Sequence, residues 1–154
     1  PRPLLHSGDL DFSFAGLKTA VLTAVKKQLA QFDVPTVAGL PPQVVADVAA
    51  STQAAIVEVL VRKSLAAVLD SGLRRLVVAG GVGANALLRE QLDAGCARRG
   101  IRVHYPELSL CTDNGAMIAL AAAMRVQTGL PAPGGAEQGY RFDVRPRWPL
   151  AELA

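Results

Sequence analysis

Two short stretches of this chain carry residues whose types and spacing suit chemistry. The first is Gly80-Gly81-Val82-Gly83-Ala84-Asn85. Three glycines within four positions remove Cβ atoms where the main chain must turn tightly, and the same bareness lets a flat or phosphorylated ligand approach the backbone. Asn85 falls where a helix would begin, so its amide has two uses: capping the unpaired N–H groups, or reaching a ligand held there. The pattern GGxGAN is neither the dinucleotide fingerprint GxGxxG nor the phosphate loop GxxxxGK(S/T), so a purely structural turn and a nucleotide site both fit it. The second stretch is Cys111-Thr112-Asp113-Asn114-Gly115. Thr112 or Asp113 suits the N-cap of the apolar helix that follows, and a carboxylate there would stand where crevices open in α/β folds, at the C-terminal edge of parallel strands. With the turn around Gly81 along the same edge, Asn85 and Asp113 are expected to face one cavity.

The elements that must position these residues are legible in the periodicity. Leu76-Val77-Val78 predicts a strand running into the glycine turn, and residues 86–99 a helix whose Leu88, Leu92 and Cys96 recur at four-residue steps before Gly100 ends it. Residues 101–105 alternate as a second strand, with His104 on the polar phase and hence at the surface. Strand, helix, strand within about thirty residues is a βαβ unit with parallel strands and a right-handed crossover. Upstream, alternation over residues 10–14 predicts a short strand or extended segment with Leu10, Phe12 and Phe14 facing inward. Residues 15–32 predict a helix with Leu17, Val21, Val25 and Leu29 on one face. Its Lys18, Lys26 and Lys27 read either as a solvated face or as contacts to an RNA backbone. Pro41-Pro42 opens a long helix that Ser71-Gly72 stops, with an apolar stripe wide enough to need cover on more than one side. The helix after Asp113 is apolar nearly all round and is expected to be buried. Residues 129–154 read as a proline- and glycine-bearing tail, in which Arg141, Arg145 and Arg147 alternate with Phe142, Pro146 and Trp148. Such a mixture suits clamping an RNA or packing on a neighbouring lobe.

Composition bounds the alternatives. The chain has 154 residues, 51% hydrophobic, 19% charged and 5% aromatic, which places it among folding chains with room for one core or for one lobe of something larger. A net charge of +3 allows an RNA partner without requiring one. Cys96 and Cys111, fifteen positions apart, have no metal-ligand spacing and read as reduced thiols. No stretch resembles a signal peptide, and charge is expected to interrupt each apolar run before it could span a bilayer, so a cytosolic location without membrane contact is expected. There is no CxxC, no HExxH and no serine, histidine and acid arrangement. The opening Pro1-Arg2-Pro3 reads as the interior of a longer polypeptide.

The stretches Asp11 to Ala20 (DFSFAGLKTA), Leu76 to Glu90 (LVVAGGVGANALLRE), Cys111 to Leu120 (CTDNGAMIAL) and Val144 to Leu150 (VRPRWPL) resemble, in order and over nearly the whole chain, the universal tRNA threonylcarbamoyltransferases. These are bacterial TsaD and its relatives, formerly labelled O-sialoglycoprotein endopeptidases. The resemblance implies an α/β chain that is the C-terminal part of an actin-like (ASKHA), two-lobed ATPase fold of RNase H type. Residues 1–130 would be the lobe and 131–154 the tail. It also implies a reaction: a threonylcarbamoyl group passes from threonylcarbamoyl-AMP to the exocyclic amine of the adenosine beside the anticodon. The amine attacks a carbonyl carbon, AMP leaves, and a bound metal offsets the charge developing on oxygen. On the same resemblance Asn85 contacts the adenylate, Gly80 and Gly81 let its nucleoside lie against the main chain, and Asp113 is a ligand to iron or zinc. The implied partners are tRNA, the homologous companion subunit and the ATPase subunit of the bacterial modification complex.

The chain also departs from the family pattern. The family's HxxxH histidine pair and its phosphate loop are not found, and His6 and His104 fit neither. The expectation is therefore a chain that is catalytically incompetent alone, with apolar surface open to self-association or a partner. Three other readings compete: an interaction module docking on the companion subunit, a metalloendopeptidase as in the old label, and a sugar or acetate kinase of the same superfamily.

Overall fold

The computed structural model describes residues 1–129 of the chain, which divide between two compact units, the first Pro1–Thr112 and the second opening at Asp113. The tail and its arginines, and with them the expected division at residue 130, lie outside the described residues. The first unit holds α1 (Phe14–Gln31), α2 (Pro42–Asp70), β1 (Arg75–Val77), α3 (Ala86–Ala97) and β2 (Arg102–His104); α4 (Gly115–Gln127) belongs to the second. This is an α/β chain, mostly helical, around a small parallel sheet.

The sheet is the predicted βαβ unit. β1 and β2 pair in parallel, with Arg75 opposite Arg102, Leu76 opposite Val103 and Val77 opposite His104. Leu76 and Val103 turn inward while their neighbours face out, as strand alternation requires. His104 is exposed, as its phase predicts. The inward face meets α3, whose Leu88, Leu92 and Cys96 are buried as their spacing demands, and α2, which contributes Val57, Val61 and Val68. Both cysteines are free and buried. Burial raises the pKa of the Cys96 thiol, with the Asp93 carboxylate adding to the effect.

The length of α2 decides what remains open. Twenty-nine residues make a rod of about 44 Å, whereas the twelve of α3 reach about 18 Å. Only the carboxyl-terminal half of α2 is therefore sealed against α3 and the sheet, and the other half meets α1, none of whose residues is buried. The charges Asp47, Glu58, Arg62, Lys63 and Asp70 are also too widely spaced to interrupt the apolar run as expected. By length and composition alone α2 would suffice to cross a membrane, with an 18-residue window of mean hydropathy 1.7, of which 17% is buried.

Two further expectations are overturned. Residues 10–14 are not a strand: Leu10, Phe12 and Phe14 are largely exposed, and Ser13 instead caps α1 by accepting the Gly16 N–H. Alternation over five residues specifies a strand only where a neighbour offers an edge to pair with. Here Phe12 and Phe14 stack on each other and lie beside Ala55, Ile56 and Val59 of α2. The second concerns α4, which has no buried residue, with Ile118 73% and Val126 69% exposed. Apolarity all round predicts burial only when the cover is present, and nothing among the described residues supplies it.

One polar side chain sits on the buried phase of α2. Lys63 follows Ala55 and Val59 at helical spacing and is 4% exposed. Its Nζ donates to Ser7 Oγ at 3.0 Å, the Asp9 carbonyl at 2.9 Å and Asp9 Oδ1 at 3.1 Å, tying the amino-terminal segment to the helix. Hydrogen bonds from Ser7, then from Lys63 and the Asp11 N–H, lower the Asp9 pKa to about 2. A depressed folded-state pKa contributes stability that is present above the unfolded value and lost as pH falls through the folded one. Urea midpoints are therefore expected to drop between about pH 4 and pH 2, and Asp9→Asn to flatten that part of the profile.

Candidate functional site

β1 runs out into the glycine turn, where Gly80 takes φ 86°, a conformation open to glycine and strained for other residues. Residues Gly81–Ala84 then form one tight 3₁₀ turn, and α3 begins. A Cβ on Gly81 would meet nothing within 4 Å, whereas one on Gly83 would meet Val78 Cγ1 at 3.3 Å. Gly83 is thus bare for packing, and Gly81 is bare toward open space. Asn85 caps α3, its Oδ1 accepting the Leu88 N–H at 3.0 Å. The cap uses the oxygen, and the amide NH2 has no hydrogen-bond partner among the described residues, so the capping use foreseen for this residue is the one seen.

Gly81 and Asn85 line an open groove of about 860 Å³, bounded by Val21 of α1 and by Val45, Val48 and Ile56 along the uncovered half of α2. This is the size range of small-molecule sites, with apolar walls and few polar groups. Thr52 also lines it, but its hydroxyl is committed to the Val48 carbonyl at 2.7 Å. Gln53, on the same wall, is exposed and its amide makes no hydrogen bond among the described residues. Nothing in the sequence marks Gln53, because helical spacing signals only the buried phase and a glutamine off that phase looks like any solvated residue.

Arg89 is the other residue that pattern reading missed. Its Nε donates to the Gly83 carbonyl at 2.6 Å, and its Nη2 lies 3.4 Å from both the Pro106 carbonyl and Cys111 Sγ. The guanidinium also sits over the Tyr105 ring at 4.6 Å from its centroid. One side chain therefore pins the glycine turn to the loop after β2. The Tyr105 hydroxyl donates to Asp93 Oδ1 at 2.9 Å, and burial, then that bond, raise its pKa. An arginine one position from the buried Leu88 is the single hint that the sequence offers.

Asp113 is not the cap that its position suggested. Asn114 caps α4, its Oδ1 accepting the Met117 N–H at 3.1 Å, and Asp113 is exposed. Asp113 opens the second unit, whereas every wall of the groove beside Asn85 comes from the first. The hollow expected to join Asn85 and Asp113 is therefore not a feature of either unit by itself. Among the described residues no three His, Cys, Asp or Glu side chains come together to hold a metal ion. Asp113 offers one carboxylate, which does not amount to a metal centre.

A bare glycine turn at the carboxyl end of a parallel strand, followed by an asparagine cap beside an apolar groove, is the arrangement at which α/β proteins commonly hold small ligands. Comparison with known proteins narrows that class. The TsaD family model, tRNA N6-adenosine threonylcarbamoyltransferase, matches residues 1–120, and the chain belongs to this family. It is 68% identical over 153 residues to the tRNA N6-adenosine threonylcarbamoyltransferase of Variovorax paradoxus (strain S110), covering 99% of this chain and 40% of that protein. Against the protein of the same name in Paracidovorax citrulli (strain AAC00-1) the identity is 68% over 154 residues, covering 100% and 41%. For that of Methylibium petroleiphilum it is 66% over 153 residues, covering 99% and 41%. The chain thus spans about two fifths of the length of the relatives it matches.

Proposed function

We propose that this chain is the C-terminal part of an actin-like transferase and forms the adenylate-facing wall of its site. The complete protein moves a threonylcarbamoyl group from threonylcarbamoyl-AMP to the adenosine next to the anticodon of tRNA, in the cytoplasm. The observation that carries the reading is the turn itself: Gly81 is open where a Cβ would intrude, and beside it the Asn85 NH2 makes no hydrogen bond among the described residues. The nucleoside lies against the bare main chain at Gly80 and Gly81, and the Asn85 amide donates to it. The phosphate is favoured by the amino-terminal end of α3, where unpaired N–H groups and the helix dipole gather positive charge. The target amine then attacks the carbonyl carbon, the bond from that carbon to the phosphate oxygen breaks with AMP taking the bonding electrons, and the proton lost from the amine passes to water.

Asp113 is proposed as one carboxylate donor to the metal, iron or alternatively zinc, that supplies electrophilic assistance in the complete site. The remaining donors belong to the part of the relatives that this chain does not span. On this reading the chain alone does not turn over. A second reading, an interaction module docking on the companion and ATPase subunits of the modification complex, is favoured by the exposed apolar surface of α4 and the open half of α2.

Titration of the ¹⁵N-labelled chain with AMP tests the first reading. The Asn85 side-chain NH2 and the amides of residues 81–84 are expected to shift together. Asn85→Ala and Gly81→Ala should each weaken binding about tenfold, and Gly81→Ala should leave the fold intact, because its Cβ meets open space. Shifts confined to other residues, or no loss on either substitution, would remove the adenylate from this turn.

A further inference from the structure

The end of the sheet away from the glycine turn gathers an unusual charge. The amino-terminal ends of β1 and β2 meet the carboxyl end of α3 there, and Arg74, Arg75, Arg98, Arg99 and Arg102 are all exposed. Arg75 and Arg102 are register partners, so both project from the same face of adjacent parallel strands. Like charges directly opposite one another cost stability, and a fold gains nothing by placing them so. Arg74 Nη1 donates to the Arg99 carbonyl at 3.0 Å, and Arg99 Nη1 to the Gly95 carbonyl at 2.9 Å, which holds two of the guanidiniums in place without neutralising them. Among the described residues the ion pairs involve Arg2, Arg62 and Lys63, and none of the five takes part in one. In a chain whose net charge is only +3, five unpaired positive charges on one edge are a concentrated excess.

All five are arginine. The guanidinium presents planar paired donors that match phosphate oxygens, and it is more weakly hydrated than an ammonium. We infer that this arginine edge is a docking surface for the phosphate backbone of RNA. On the function proposed above, that RNA is the tRNA substrate. The edge lies at the opposite end of β1 from the glycine turn, so it holds the body of the RNA away from the reacting adenosine.

The test uses the full chain, an end-labelled tRNA transcript and fluorescence anisotropy over a series of salt concentrations. Arg75, Arg98 and Arg102 make no side-chain hydrogen bond among the described residues, so the variant R75Q/R98Q/R102Q should fold, with a melting midpoint equal to or above that of the unaltered chain because opposed charges are relieved. It should bind tRNA at least about tenfold more weakly, and its log–log salt slope should flatten by about two. The control K18Q/K26Q/K27Q removes the same charge from α1 and should stay within about twofold. Equal losses in both variants, undiminished binding by the arginine variant, or no binding by the unaltered chain would each overturn the assignment. So would equal, arginine-dependent affinity for phosphatidylglycerol vesicles or polyglutamate. AMP titration of the same samples separates the two proposals: intact Asn85 shifts with arginine-independent tRNA binding condemn only the patch, and absent shifts with arginine-dependent binding condemn only the adenylate site.

Discussion

Arg89→Ala is expected to destabilise the first unit by about 3 kcal/mol and to abolish AMP-induced shifts at the glycine turn. Four contacts are lost at once: the short bond to the Gly83 carbonyl, the contacts to the Pro106 carbonyl and Cys111 Sγ, and the charge over the Tyr105 ring. Hydrogen bonds from a charged donor contribute about 1.5–3 kcal/mol each when desolvated, and half-burial here keeps the sum near the lower end. The functional consequence exceeds the energetic one, because without the pin the turn is held only by its own 3₁₀ bonds and the Asn85 cap. Arg89→Lys restores the charge but not the fork, so it should recover part of the stability and little of the binding. Urea unfolding and AMP titration on the same samples measure both, and an Arg89→Ala chain that binds AMP normally would show that the turn is rigid without it.

Leu92→Ala should cost about as much or more, on the order of 3–5 kcal/mol, through a different mechanism. Leu92 is 1% exposed and packs with Val57, Val61 and Leu88 where α2, α3 and the sheet meet. Truncation leaves a cavity that two helices and two short strands cannot close without breaking other contacts. Because this seam is the main core among the described residues, a loss of that size takes up much of the stability ordinary for a single domain. Calorimetry should show a lowered midpoint. A shift below about 1 kcal/mol would mean that stability resides elsewhere.

What could be read in the sequence follows from the range of the interaction that fixes each feature. Leu88, Leu92 and Cys96 are buried because they recur at helical spacing, and β1 and β2 pair because the intervening helix dictates a parallel crossover. These are local patterns, and the structure agrees with them. Phe12 and Phe14 also alternate, but among the described residues no strand lies there to receive them, and a serine cap with a lysine anchor from α2 sets their path instead. At α4 the apolar composition was read correctly and its burial was not, since burial depends on what lies opposite. The cap fell to Asn114, one residue beyond Asp113, because helix starts are specified only to within a residue or two. In the candidate site the glycine turn and Asn85 were legible as motif and cap. Arg89 was not, because its partners stand 6, 17 and 22 positions away in the chain.

The central question is whether this chain supplies one wall of the transferase site or the whole of it. Transfer of radiolabelled threonylcarbamoyl from its adenylate to a tRNA transcript, measured with this chain alone and with the complete Variovorax paradoxus relative as control, decides between them. The relative should modify the transcript, and this chain should give no transfer above the protein-free background while still showing the Asn85 response to AMP. Turnover by the chain alone would contradict the account.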